Sequence, residues 1–108
     1  MRLFDLFTRR PSLSDGLAQM AETPNAVLLD VRTREEYAAG HVPGAKNHPL
    51  DALADMSQKR DRILFTYCHS GARSAQACAQ LMRQGYQAVN LGGLIGYRGP
   101  LEFGSDNT

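Results

Sequence analysis

The sequence predicts an α/β domain built on a mainly parallel sheet flanked by short helices. Three observations carry that prediction. Ala26-Val27-Leu28-Leu29-Asp30-Val31 and Ile63-Leu64-Phe65-Thr66-Tyr67 are apolar runs without in–out alternation, as strands covered on both faces read. Helical patterns, not hairpin turns, separate the strands, and that order belongs to βαβ units. The chain has 108 residues, enough for one domain with one core.

The elements follow in order. After Pro11-Ser12, residues 13–20 form a short helix, with Leu13, Leu17 and Met20 on one face at spacings of four and three. Thr23-Pro24-Asn25 ends it, and the first buried strand follows. Thr33-Arg34-Glu35-Glu36 is a capping box that opens a helix through Ala39, stopped by Gly40. His41-Val42-Pro43-Gly44-Ala45 is a turn, and residues 50–56 form another short helix. The strand at 63–67 leads through a tight loop to a helix over 74–84, with Gly85 as its stop. Residues 87–91 make the last strand, which Gly92-Gly93 breaks, and 94–98 a helical turn. The organisation read from this is an extension at 1–11, a domain at 12–103 and a disordered tail at 104–108.

Composition excludes several classes. Twelve Lys+Arg stand against 11 Asp+Glu with no basic stripe, so electrostatics do not point to nucleic acid. No apolar run approaches the ~18 residues of a membrane span. The opening segment has Asp5 inside its apolar stretch and does not read as a signal peptide. Its Leu3, Phe4, Leu6 and Phe7 suit packing on the domain better than a membrane-surface anchor. Two cysteines ten residues apart make no disulfide framework, and such usage fits a reducing, cytoplasmic setting. With no CxxC and no HxxxH, no metal site is expected.

Cys68 is the chemical focus. It ends the buried strand and opens Cys68-His69-Ser70-Gly71-Ala72-Arg73, with a helix directly behind. Backbone N–H groups are unpaired at a helix N-terminus and the dipole there favours negative charge. That setting lowers a thiol pKa and yields the reactive thiolate. Asp30 and Arg32 end the neighbouring strand, and an ion pair between them would brace the Cys68 loop, because charges beside a buried sheet need partners. Glu36, besides its helix-start role, is a candidate partner for an arginine. Cys78 shares a face with Ala75 and Leu81-Met82, a core face, so it reads as a buried inert thiol, with a resolving cysteine as the alternative. His41 reads as structural, and His48 shows no partner in the sequence.

Together these segments resemble the rhodanese family of sulfurtransferases in its single-domain form. The resemblance runs over about residues 12–103 and rests on three motifs. They are Leu29-Asp30-Val31-Arg32 with Glu36-Tyr37 and Gly40-His41-Val42-Pro43-Gly44-Ala45; Cys68-His69-Ser70-Gly71-Ala72-Arg73-Ser74; and Leu91-Gly92-Gly93 with Tyr97 and Pro100. The resemblance implies a rhodanese-like fold and a sulfurtransferase that needs no cofactor. Cys68 would take a sulfane sulfur from thiosulfate, a persulfide or a polysulfide and carry it as a persulfide. An acceptor thiol, cyanide or a sulfur-carrier protein would then receive it, with the protein working as a monomer. Main-chain N–H groups of His69, Ser70, Gly71, Ala72 and Arg73 would cradle the sulfur as a nest. Asp30, Arg32 and Glu36 would support them. The chain departs from many relatives at His69, where they carry Arg, and at Tyr97, where they carry Trp. An imidazole carries less positive charge at neutral pH than a guanidinium, which weakens the expectation of thiosulfate as donor.

Two other classes compete. Cysteine phosphatases and arsenate reductases on this scaffold place five residues between Cys and Arg, whereas four stand between Cys68 and Arg73. The tighter ring suits one sulfur better than a tetrahedral phosphate. A non-catalytic binding module is the other, and the presence of Cys68, Gly71 and Arg73 argues against it.

Overall fold

The computed structural model describes residues 12–105. The expected extension at 1–11 and the last three residues of the expected tail lie outside them. Helix α1 (Leu13–Ala21) begins at a capping box in which Ser12 and Asp15 exchange side-chain and backbone hydrogen bonds. Strand β1 (Ala26–Asp30) follows, then α2 (Arg34–Ala38), whose Thr33–Glu36 capping box forms as the spacing predicts. A two-residue strand β2 (Lys46–Asn47) and a 3-10 helix (Leu50–Asp55) lead to β3 (Ile63–Cys68). Helix α3 (Ala72–Arg83) and strand β4 (Gln87–Gly93) complete the order.

The four strands lie in the order β2-β1-β3-β4 and every pairing is parallel. Side-chain alternation divides the core between the two faces of the sheet. Leu29, Val31, Leu64 and Cys68 point to the side covered by α3 and the 3-10 helix, where they meet Leu53, Ala77 and Leu81. Leu28, Phe65 and Tyr67 point to the other side and meet Leu13 of α1 and Tyr37 of α2. Helices on both faces explain why β1 and β3 read as continuous apolar runs.

Several boundaries differ from the sequence expectation for identifiable reasons. Strand β2 is too short to leave a pattern, but it pairs with Leu29 and Asp30. The segment after Pro49 is a 3-10 helix. Gly92-Gly93 does not break β4; the strand runs through it with a bulge opposite Thr66/Tyr67, as Gly92 takes φ +98°. Gly93 is required by space, since a Cβ there would run into the His69 carbonyl. The expected helical turn at 94–98 reduces to a single turn closed by Tyr97 N–H to the Leu94 carbonyl at 2.9 Å. Gly104, expected in the tail, donates to the Ala38 carbonyl at 2.8 Å.

Candidate active site around Cys68

Cys68 is the last residue of β3, and Gly71 is the N-cap of α3. The helix begins at Ala72, two residues before the expected Ser74. Gly71 has φ +102° and no side chain to cap the helix. The Cys68 sulfur takes that part: Gly71 N–H donates to Sγ at 3.0 Å and Ser74 N–H at 3.4 Å. A side-chain acceptor on the third helical residue's N–H is the usual N-cap geometry, here supplied from the strand by sulfur.

Burial alone would push the Cys68 thiol up. The Ser74 hydroxyl and the amides of Ser74, Gly71 and Ser70 outweigh it and bring the pKa below its ordinary value. The amides are the firm part of this cradle. The Ser74 hydroxyl stands 3.5 Å from Sγ, but its one proton has a nearer acceptor, Asn90 Oδ1 at 2.6 Å. Asn90 Oδ1 also accepts from Gly92 N–H at 2.9 Å, which fixes its orientation.

The structure distributes the expected loop residues unevenly. Ser70, Gly71 and Ser74 turn amides to the sulfur. Ala72 N–H instead donates to Ser70 Oγ at 3.4 Å. His69 and Ser70 are exposed, while the backbone carbonyls of Cys68 and His69 accept from Leu94 and Ile95 at 3.0 and 3.1 Å. Those bonds pin the loop to the end of β4. Ser74, quoted in the motif but not singled out as a site residue, is fully buried and joins helix, sulfur and Asn90. A serine at the third helical residue is ordinary in sequence, so nothing there marked it.

Arg73 places its two terminal nitrogens on the Glu36 carboxylate at 2.6 and 2.9 Å. The guanidinium's hydrogen bond, with the Thr33 amide, holds Glu36 down at about 2 against the desolvation that opposes it. Arg73 is raised in turn, first by Glu36. This pair fastens the Cys68 loop to α2.

Asp30 and Arg32 pair as expected, with Arg32 Nη2 2.7 Å from Asp30 Oδ2 and both residues buried. What they brace differs from the expectation. Arg32 Nη2 also donates to the Gly40 carbonyl at 2.7 Å, and its guanidinium lies 5.8 Å from the Tyr67 ring centre. Burial opposes the Arg32 charge, but the Asp30 hydrogen bonds and charge prevail and its pKa rises. The pair fixes the end of β1 and the Gly40 turn; toward the Cys68 loop it meets Tyr67, and the Asp30 charge helps to raise Arg73. Burial and the Asp30 charge push the Tyr67 hydroxyl up, so it stays protonated; it accepts a hydrogen bond from Val42 N–H at 3.0 Å.

Cys78 faces the core, 6% exposed, with Sγ 3.2 Å from Thr66 Oγ1, beside Ala77 and Leu81; Ala75 and Met82, expected on that face, are exposed. Burial pushes its thiol up, the opposite direction to Cys68. His41 is buried, stacked on Tyr37 at 3.6 Å, with Nδ1 2.8 Å from the Tyr37 carbonyl. His48 does have a partner, the Ala52 carbonyl 2.8 Å from Nε2. Tyr97 packs on the α1 side of the sheet and donates to the Pro100 carbonyl. Among the described residues no three His, Cys, Asp or Glu side chains are placed to hold a metal ion. No helix among them is long and apolar enough to cross a membrane.

A cysteine at the carboxyl edge of a parallel sheet, with backbone amides at a helix start turned to its sulfur, defines an α/β domain that carries a thiol of lowered pKa. The chain belongs to the rhodanese-like family of sulfurtransferases: the family's model, a rhodanese-like domain, matches residues 13–98. A sulfurtransferase of Allochromatium vinosum is 45% identical over 89 residues, covering 78% of this chain and 83% of that protein. The mitochondrial protein HIGH ARSENIC CONTENT 1 of Arabidopsis thaliana is 36% identical over 104 residues, and the match spans 56% of its length. Among solved structures, a rhodanese-like domain protein from Staphylococcus aureus superposes with a TM-score of 0.76 at 33% identity, covering 87% of this chain and 96% of that one.

Proposed function

We propose that the protein moves a sulfane sulfur from a small donor to a thiophilic acceptor through a persulfide on Cys68. The observation that carries this reading is the pair of amides, Gly71 at 3.0 Å and Ser74 at 3.4 Å, on a thiol whose pKa is lowered. The thiolate attacks the outer sulfur of the donor, the donor's S–S bond breaks, and its electron pair leaves with the remaining fragment. The persulfide anion that results is held by the same ring of amides, donors already in place where charge resides. A second thiolate or cyanide then attacks the outer sulfur and restores Cys68. Cys68 is covered by its neighbours, in a loop whose His69 and Ser70 are exposed. Two unpaired cysteines suit work in the reducing cytoplasm.

Intact mass after incubation with thiosulfate, an inorganic polysulfide or a phosphate ester tests the reading. The expected result is one added sulfur from a sulfur donor, absent in Cys68→Ser. A phosphoryl adduct, or no adduct with a folded protein, overturns it in favour of a phosphatase or a binding module.

A further inference from the structure

The side-chain amide of Asn90 grips the Cys68 loop from both of its ends. Asn90 pairs with Thr66 on β4, directly before the bulge, and belongs to neither core cluster. Its Oδ1 accepts from Gly92 N–H at 2.9 Å, a turn of the side chain onto its own backbone that closes the bulge. Beyond the bulge, Gly93 lies against the His69 carbonyl, and the Leu94 and Ile95 amides donate to the Cys68 and His69 carbonyls. On the helix side, the same Oδ1 is the nearest acceptor of the Ser74 hydroxyl at 2.6 Å, and Nδ2 donates to the Gly71 carbonyl at 3.3 Å. Gly71 and Ser74 are the residues whose N–H groups reach the sulfur at 3.0 and 3.4 Å.

A primary amide is the group that suits these partners. Gly92 N–H requires an acceptor and the Gly71 carbonyl requires a donor, while the two lone pairs of Oδ1 serve Gly92 and Ser74 together. A carboxylate of the same shape keeps the first and last of these bonds but sets an oxygen against the Gly71 carbonyl. We infer that Asn90 is a positioning residue of the sulfur site: by holding Gly71, Ser74 and the Gly92 bulge at once, it sets the direction of the two N–H groups that face the sulfur. The inference rests on the sulfur-transfer reading above, in which the same N–H groups hold first the thiolate and then the persulfide anion. A hydrogen bond weakens steeply as its donor turns out of line. Burial pushes the Cys68 thiol up and the amides bring it down, so misaligned amides leave burial in command.

The experiment compares wild type, Asn90→Ala and Asn90→Asp as full chains. Cys68 is titrated with iodoacetamide, sulfur loading from thiosulfate or inorganic polysulfide is followed by intact mass, and each protein is melted. Asn90→Ala should move the Cys68 midpoint up and slow both alkylation and sulfur loading at neutral pH about fivefold. Asn90→Asp keeps the bonds to Gly92 and Ser74 and should melt close to wild type. Its midpoint should rise at least as far, because the carboxylate adds a negative charge beside the thiolate. High salt should reverse part of that second rise and leave the first in place. Wild-type titration and loading in either folded variant overturns the inference. A lowered melting temperature with an unmoved midpoint also overturns it, leaving Asn90 as a strap for β4 alone. Should Asn90→Ala not fold, Asn90→Asp carries the test. Alkylation needs no sulfur donor, so the two readings fail separately. If wild type takes up no sulfur, the sulfur-transfer reading fails, and a raised midpoint in the variants still supports the role of Asn90 at the thiol. If wild type loads sulfur and the variants titrate and load as it does, the role of Asn90 alone is wrong.

Discussion

Arg73 and Glu36 form a two-pronged ion pair, 2.6 and 2.9 Å, between the first turn of α3 and the first turn of α2. Thirty-seven positions apart in sequence, they join the loop that carries Cys68 to the helix that follows β1. The Arg73 guanidinium is thus a brace before it is anything else. Both side chains are 35% exposed, so solvent screening holds the stability contribution below about 1 kcal/mol.

The pair sets a pH dependence. Glu36 is depressed to about 2 by Arg73, below its unfolded value of about 4.3. Its contribution is therefore fully present above about pH 4.3 and is lost as pH falls through about 2. Glu36→Gln should melt a few degrees lower than wild type at pH 7, and the two melting curves should converge near pH 2. A gap that persists unchanged at pH 2 would mean that the carboxylate charge is not what Glu36 contributes.

The two cysteines should separate by titration. Alkylation of Cys68 by iodoacetamide should follow an ionisation below the ordinary thiol value of about 8.5, and Cys78 should react slowly with a midpoint above it. Cys78→Ser should keep most sulfur transfer, since Cys78 is buried against Thr66. A single shared midpoint for both thiols would contradict the amide ring.

Ser74→Ala separates hydroxyl from amide. Because the nearest acceptor of the Ser74 hydroxyl is Asn90, the variant should leave the Cys68 titration close to that of wild type, with the amide at 3.4 Å retained. A clear rise of the titration midpoint, with a matching fall in alkylation rate at neutral pH, would show that the hydroxyl donates to the thiolate.

Gly93→Ala tests the seat of the loop. A Cβ at Gly93 would run into the His69 carbonyl, and the Ile95 N–H to His69 bond would be pushed out of line. Sulfur loading should fall at least tenfold, with the Cys68 titration moved up toward the free value. Wild-type loading in a folded Gly93→Ala would show that the β4 end does not position the loop.

The site was partly legible because its signals are local. A strand, a cysteine, a tight loop with a glycine and a helix occupy consecutive positions, and the residues that surround the sulfur come within six positions of it. The Thr33–Glu36 capping box was legible for the same reason. Glu36's second partner was not, because nothing in one sequence decides whether Glu36 pairs with Arg32 or Arg73, or Arg73 with Glu36 or Asp30. The reading of Gly92-Gly93 as a strand end failed because glycine has two uses, punctuation and close approach, and only the position of His69 decides between them.

The sequence by itself determined the α/β class, the order of the main elements, the parity that turns Leu64 and Cys68 to one face of β3, and the thiol placed at a helix start. These follow from hydrophobic period, caps and turn residues, which act over a few positions. Tertiary structure alone decided what the charged residues do. It put Arg73 on Glu36, turned Arg32 from the loop to the Gly40 carbonyl, and brought Asn90 to take the Ser74 proton. A charged or polar side chain satisfies its hydrogen bonds with whatever the packing of distant segments brings within about 3 Å, and no local pattern encodes that distance.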